Sequence, residues 1–310
     1  MKKSIVLLFA GQGAQEVGMG YSLSEAYPKV KEIIAMADEE LGAELSKVMF
    51  NGPNDKLTQT SWCQPALYVH GLACWEMLKK NCPSLNPVAA AGLSLGEFTA
   101  YSAAGSFSFL DGLKLVAKRG KFMDEECAMT DGSMAAIIGG GEESVRELAK
   151  EYDVDVANLN APGQIVISGS RDNILSAVNK VKDFGCRMGK VLEVAGAYHS
   201  RLMAGAQDKL AKELESFDIV APNFPVISNV EAESIVDNDS IRASLERQVT
   251  GSVRWHESME FILDPNPKVT FIEFSPKPVL AGLMNRIRHE TEVLTVSDPE
   301  SLEEVTIALS

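Results

Sequence analysis

The chain has 310 residues, 45 % of them hydrophobic, with 29 Lys plus Arg against 43 Asp plus Glu and a formal net charge of −14 at pH 7. This length and apolar share support one large folded unit or two modest ones and exclude a disordered chain. The acidity excludes coating of nucleic acid or binding to an anionic membrane, since both need clustered positive charge. Any anionic ligand has to be caught locally.

Cys63, Cys74, Cys82, Cys127 and Cys186 are odd in number and sparse. They fit reduced thiols of a cytosolic protein better than a disulfide framework. None forms Cys-x-x-Cys, and His70, His199, His256 and His289 have no metal-ligand spacing, so no metal site is expected. Lys2-Lys3-Ser4 followed by Ile5 to Ala10 superficially resembles a secretory leader, but the apolar run stops at Gly11-Gln12-Gly13 and reads as a buried first strand. No run of about twenty apolar residues spans a membrane.

Strand-like and helix-like stretches alternate, the pattern of an α/β fold with a largely parallel sheet. Ser4 to Phe9 is the first strand. Tyr27 to Leu41 and Gln64 to Lys80 are helices, the second with Pro65 in its first turn. Pro87 to Ala91 is a short strand, followed by a glycine turn and a helix over Glu97 to Ala104. Another helix runs from about Leu110 to Cys127.

From Gly132 the order becomes β-α-β-β-α-β: strands at 133–138, 154–158, 164–168 and 187–191, helices at 142–152 and 171–184. This is the order of a ferredoxin-like unit. The expected division is a large unit, 1–129 and 197–310, interrupted by a small one, 130–196. The large-unit pattern then resumes with helices at about 200–217, 241–249, 255–263 and 279–289 and strands at 225–227 and 269–274.

Gly92-Leu93-Ser94-Leu95-Gly96 is a Gly-x-Ser-x-Gly pentapeptide between a strand and a helix, the context of a nucleophile elbow. Glycines let the chain reverse tightly, and the serine hydroxyl sits at a helix N-terminus, where backbone N–H groups can stabilise an oxyanion. The bland alternative is a helix-capping serine. Of the four histidines, His70 lies inside an amphipathic helix and His256 and His289 lie in charged, exposed surroundings. His199, where the inserted unit hands back to the large one, is the candidate general base. Arg119, in Lys118-Arg119-Gly120-Lys121, reads by itself as one of several cations on a solvated helix face. Gly11-Gln12-Gly13 reads by itself as a turn, and it lacks the spacing of a dinucleotide fingerprint.

Taken in order, Phe9 to Gln15, Gln64-Pro65-Ala66-Leu67, Gly92 to Glu97, Arg119-Gly120, Gly132 to Ala136, Asn160 to Gln164, Ala195 to Ser200 and Phe271-Ile272-Glu273 resemble the malonyl-CoA:acyl-carrier-protein transacylase family. The resemblance spans nearly the whole chain. It implies an α/β-hydrolase-like core with a ferredoxin-like insertion and malonyl transfer for fatty-acid synthesis by a ping-pong mechanism. Ser94 would be the nucleophile and His199 its base, oriented by the backbone carbonyl of Gln248. Gln12 and Leu95 would supply the oxyanion N–H groups, and Arg119 would hold the malonyl carboxylate. Met123, Met134, Asn160 and Tyr198 are candidate acyl-pocket residues. Malonyl-CoA would be a substrate, acyl carrier protein a transient partner, and no cofactor is needed. A cytoplasmic monomer is expected.

Leu93 departs from the family's usual histidine beside the nucleophile, Tyr198 from phenylalanine or serine before the base, and Ser275-Pro276-Lys277-Pro278 from a more glycine-rich turn. These bear on substrate preference, not reaction class. One rival reading is a serine acyl hydrolase using the same Ser-His pair; a more distant one is a non-catalytic carrier-protein scaffold. CoA and carrier proteins are themselves acidic, so a chain this acidic needs a local positive rim. Arg187, Lys190, Arg201, Lys277, Arg286 and Arg288 are the candidates.

Overall fold

Residues 3–266 and 268–310 are described in a computed structural model; Met1, Lys2 and Pro267, which the expected large unit includes, lie outside the described residues. The strands are β1 (Lys3–Phe9), β2 (Leu85–Gly92), β3 (Gly132–Ile138), β4 (Asp155–Ala161), β5 (Gln164–Ser170), β6 (Met188–Val191), β7 (Val226–Ile227), β8 (Thr270–Phe274) and β9 (Val293–Val296). They form two sheets. The first, in the order β7-β2-β1-β8-β9, is parallel throughout. Ile5 to Phe9 of its central strand are buried on both faces. A continuous apolar run is what a parallel strand covered by helices requires.

The second sheet, β4-β5-β3-β6, is antiparallel. With the helices Glu142–Glu151 and Arg171–Lys180 it completes the β-α-β-β-α-β order. It carries a core of its own, built around Ile137, Leu148, Ile167 and Ile174. The small sheet is tied to the large unit where Leu159 N–H donates to Val253 O at 2.9 Å and Val253 N–H to Ala157 O at 2.8 Å.

Register positions the site. Phe9 pairs with Gly92, so β1 and β2 end side by side and deliver Gln12 and Ser94 to the same edge. Ligands of open parallel sheets bind at the carboxyl ends of the strands for this reason. The helix after β2, Leu95–Ala103, packs on both strands. A Cβ on Gly96 would stand 2.0 Å from Phe9 O. Only glycine lets the helix start so close to β1.

Two departures from the expected elements have physical reasons. The helix expected from Gln64 begins at Thr60, leaving Pro65 inside it. The Asp124 carboxylate accepts from Thr60 N–H at 3.2 Å and Ser61 N–H at 2.8 Å, capping the helix from a distant segment. At the chain's end, β9 and the helix Pro299–Leu309 follow the last expected element. Asp298 caps that helix with Pro299 at its first turn, a start signal present in the sequence. No described helix is long and apolar enough to cross a membrane.

Candidate active site

Ser94 occupies the tight turn between β2 and the Leu95–Ala103 helix with φ 55° and ψ −108°, a conformation unfavourable for any residue with a side chain. Side chains from distant segments hold it there. Asn229 Oδ1 accepts from Ser94 N–H at 2.7 Å, while Asn229 Nδ2 donates to Gly92 O at 2.7 Å. Gln248 Nε2 donates to Ser94 O at 2.8 Å. Both backbone polar groups of the strained residue are thus pinned.

His199 Nε2 lies 2.8 Å from Ser94 Oγ. Its Nδ1 faces two carbonyls, Gln248 O at 2.9 Å and Gly251 O at 3.1 Å. Carbonyls only accept, so the proton sits on Nδ1 and the Nε2 lone pair is left for the serine hydroxyl. Burial pushes the imidazole down to about 4, the nearby Arg119 charge adds to this, and the two carbonyls oppose it. His199 is therefore neutral above mildly acidic pH, the state in which an imidazole can accept a proton.

Arg119 is 1 % exposed, not on a solvated face. Its helix, Phe109–Met129, lies against Thr60–Asn81, where a Cβ on Gly120 would stand 2.6 Å from Thr60 O. Arg119 Nη2 donates to Ser94 Oγ at 3.0 Å and to Gln248 Oε1 at 2.9 Å. Nε and Nη1 are buried without a protein partner among the described residues. Burial lowers the guanidinium to about 10, offset by the negative charge of Glu97. It remains a cation at neutral pH.

The cleft in front of Ser94 and His199 encloses about 240 Å³ between the two units of the fold, and the buried Arg119 is not among its lining residues. Gln12 and Leu95 line it beside Ser94 and His199. Leu95 opens its helix, so its N–H has no acceptor within that helix. Met123, Met134, Asn160 and Tyr198 all line the cleft. Tyr198 is largely buried, with its hydroxyl 2.7 Å from Thr60 Oγ1. Asn160 Oδ1 is buried without a partner among the described residues, and Met123 Sδ receives Gln64 Nε2 at 3.4 Å. Leu93 adds apolar surface at the elbow.

The other histidines lie apart from the Ser94 cleft: His70 is buried within its helix, and His256 pairs with Glu260 on the helix Trp255–Leu263. Of the six rim cations, three are engaged elsewhere. Arg201 is held by Asp153 and Asp155, Lys277 lies 3.6 Å from Glu16, and Arg288 lies 4.0 Å from Asp264. Arg187, Lys190 and Arg286 are exposed and make no ion pair among the described residues. Lys190 is close in sequence to the cleft residue Leu192, and Arg286 shares the helix Val279–Ile287 with the cleft residues Val279 and Leu283. Sequence reasoning missed Asn229, Gly251 and the role of Glu97, whose Oε2 accepts from Gln248 Nε2 at 2.6 Å and from Asn229 N–H at 3.1 Å.

Residues 6–302 match the family model described as acyl transferase domain. The malonyl CoA-acyl carrier protein transacylase of Bacillus subtilis is 39 % identical over 304 residues, covering 96 % of this chain and 95 % of that protein. Among solved structures, the malonyl CoA-acyl carrier protein transacylase of Coxiella burnetii superposes with a TM-score of 0.95 at 33 % identity, covering 100 % of this chain and 98 % of that one. A malonyl-transacylase in complex with its type II polyketide synthase acyl-carrier protein gives 0.94 at 35 % identity, covering 99 % and 100 %. With its Gly-x-Ser-x-Gly elbow, paired histidine and two-part α/β architecture, this chain belongs to the malonyl-CoA:acyl-carrier-protein transacylase family of acyltransferases.

Proposed function

We propose that Ser94 and His199 carry a malonyl group from malonyl-CoA to the pantetheine thiol of an acyl carrier protein, as an [acyl-carrier-protein] S-malonyltransferase of fatty-acid synthesis. The observation that carries this reading is the placement of one buried guanidinium, Arg119, 3.0 Å from the same Ser94 Oγ that His199 Nε2 approaches at 2.8 Å. A nucleophile beside a fixed cation with unpartnered N–H groups favours an acyl group that ends in a carboxylate.

The first half-reaction forms the bond from Ser94 Oγ to the thioester carbonyl carbon while the hydroxyl proton passes to His199 Nε2. The carbonyl electron pair moves onto oxygen, where the N–H groups of Gln12 and Leu95 receive it. Collapse expels the CoA sulfur, which takes the proton from His199. In the second half-reaction the carrier thiol gives its proton to His199 and attacks the serine ester. The proton returns to Ser94 Oγ as the malonyl thioester leaves. The Gln248 and Gly251 carbonyls support the imidazolium in both halves, in the place that a carboxylate takes in a Ser-His-Asp triad.

The acyl chain would lie against Met123, Met134, Asn160 and Tyr198. The carrier would approach Arg187, Lys190 and Arg286, the rim cations that no ion pair engages among the described residues. We take the working unit to be a cytoplasmic monomer without a cofactor. The test is intact-mass analysis after incubation with malonyl-CoA. A malonyl adduct that Ser94→Ala abolishes, that persists in buffer and that discharges when holo carrier protein is added supports the transferase. Rapid discharge to water without carrier would make the protein a hydrolase instead.

A further inference from the structure

Glu97 is a carboxylate with 0 % exposure, set behind the nucleophile and absent from the cleft lining. Its Oε2 is the acceptor for Gln248 Nε2 and Asn229 N–H, while Oε1 has no partner among the described residues. Gln248 is the hub of this arrangement. Its amide nitrogen faces Glu97 and its amide oxygen faces Arg119, which fixes the orientation of an otherwise symmetric group. Its backbone carbonyl receives His199 Nδ1–H.

The charges need a balance. Malonyl binding brings one carboxylate to Arg119, and proton transfer from Ser94 then creates an imidazolium a few ångströms away in a buried site. Buried charge without a counter-charge is costly. Building on the transferase reading, we propose that Glu97 is a positioning residue for the Ser94–His199 pair: it sets the Gln248 amide between itself and Arg119 and, when ionised, supplies the negative charge that offsets the imidazolium formed during each transfer.

The groups whose charge bears on Glu97 are Arg119 on the Phe109–Met129 helix, Glu231 on the segment after β7, and Tyr101 on its own helix. Burial raises the carboxyl to about 7, Gln248, Asn229 and Arg119 oppose the rise, and Glu231 adds to it. Its charge is thus gained as pH rises through neutrality.

The test compares wild type with Glu97→Gln, which keeps the shape and an acceptor oxygen but no charge. Single-turnover acylation at saturating malonyl-CoA is measured from pH 6 to pH 8.5, with folding checked by circular dichroism. At pH 8 the variant is expected to acylate at least roughly tenfold more slowly, with KM changed less than about threefold, because Glu97 touches no substrate. Wild type is expected to fall toward the variant's rate as pH drops from 8 to 6, while the variant stays flat. A purely structural role would move neither the pH profile nor the split between kcat and KM. A variant within threefold of wild type overturns the proposal. So does a wild-type profile that does not fall between pH 8 and 6, a result that stands even where the variant fails to fold. Absence of any adduct on wild-type Ser94 sinks the transferase reading instead, and is read in the same experiment.

Discussion

Ser94 and His199, joined by a 2.8 Å hydrogen bond, both hold left-handed backbone, with φ 55° and 54°. Such conformations persist only when the surroundings over-determine them. Here Asn229 and Gln248 hold the serine backbone at both ends. The strain aims a hydroxyl at a lone pair, at a cost to stability.

That cost is measurable. Ser94→Gly and Ser94→Ala both remove the hydroxyl, but only alanine keeps a Cβ in the disfavoured region. The glycine variant is expected to be more stable than the alanine variant by about 1 kcal/mol, read from urea midpoints. Equal midpoints would mean that the turn relaxes once the hydroxyl is gone.

Arg119→Ala removes the buried guanidinium while leaving the Ser94–His199 hydrogen bond in place. Loss of charge-assisted contacts costs about 1.5–3 kcal/mol, so malonyl loading is expected to fall roughly ten- to a hundredfold more than acetyl loading. The ratio is the measurement, since Arg119 Nη2 also touches Ser94 Oγ and both acyl groups will slow. Equal losses would take Arg119 out of the specificity site.

The elbow was legible in sequence because its chemistry is local: strand, Gly-x-Ser-x-Gly and helix are contiguous, and the structure puts the helix start at Leu95, two residues before the expected Glu97. His199 emerged by elimination among four histidines. The depth of Arg119 was hidden, since neighbouring lysines make its segment look solvated and only packing against Thr60 shows otherwise. The contacts that Asn229 and Glu97 make around the elbow and with Gln248 span 132 to 151 residues along the chain, and no local pattern encodes them. The terminal Asp298-Pro299 cap was readable and was missed because β9 is short and half-buried.

His70 gives a pH signature separate from chemistry. Burial pushes it down to about 4, so the unfolded chain binds its proton first as pH falls from 6.5. The native state therefore loses stability on acidification through that window. Glu97 and Glu273, raised to about 7, act with the opposite sign, stabilising the fold at low pH and losing that contribution as pH rises. Relative to wild type, His70→Gln is expected to gain about 2 kcal/mol between pH 7.5 and pH 5, measured by denaturant unfolding at both. A difference independent of pH would mean that His70 titrates in the fold as it does in the unfolded chain.

Gly11 tests the oxyanion assignment without touching the nucleophile. A Cβ there would stand 2.3 Å from Leu93 O, a backbone atom of the elbow, so Gly11→Ala must push the loop that carries Gln12 away from Ser94. Its consequence is the loss of one N–H aimed at the oxyanion, while Leu95 at the helix start is unmoved. Removal of one such donor slows acyl transfer by about 10²–10³-fold. The expected result is a fall of that order in the acylation rate, with KM for malonyl-CoA little changed and the Ser94–His199 pair still competent to form adduct on long incubation. A rate within threefold of wild type, in a variant whose melting temperature has dropped, would count against Gln12 as an oxyanion donor.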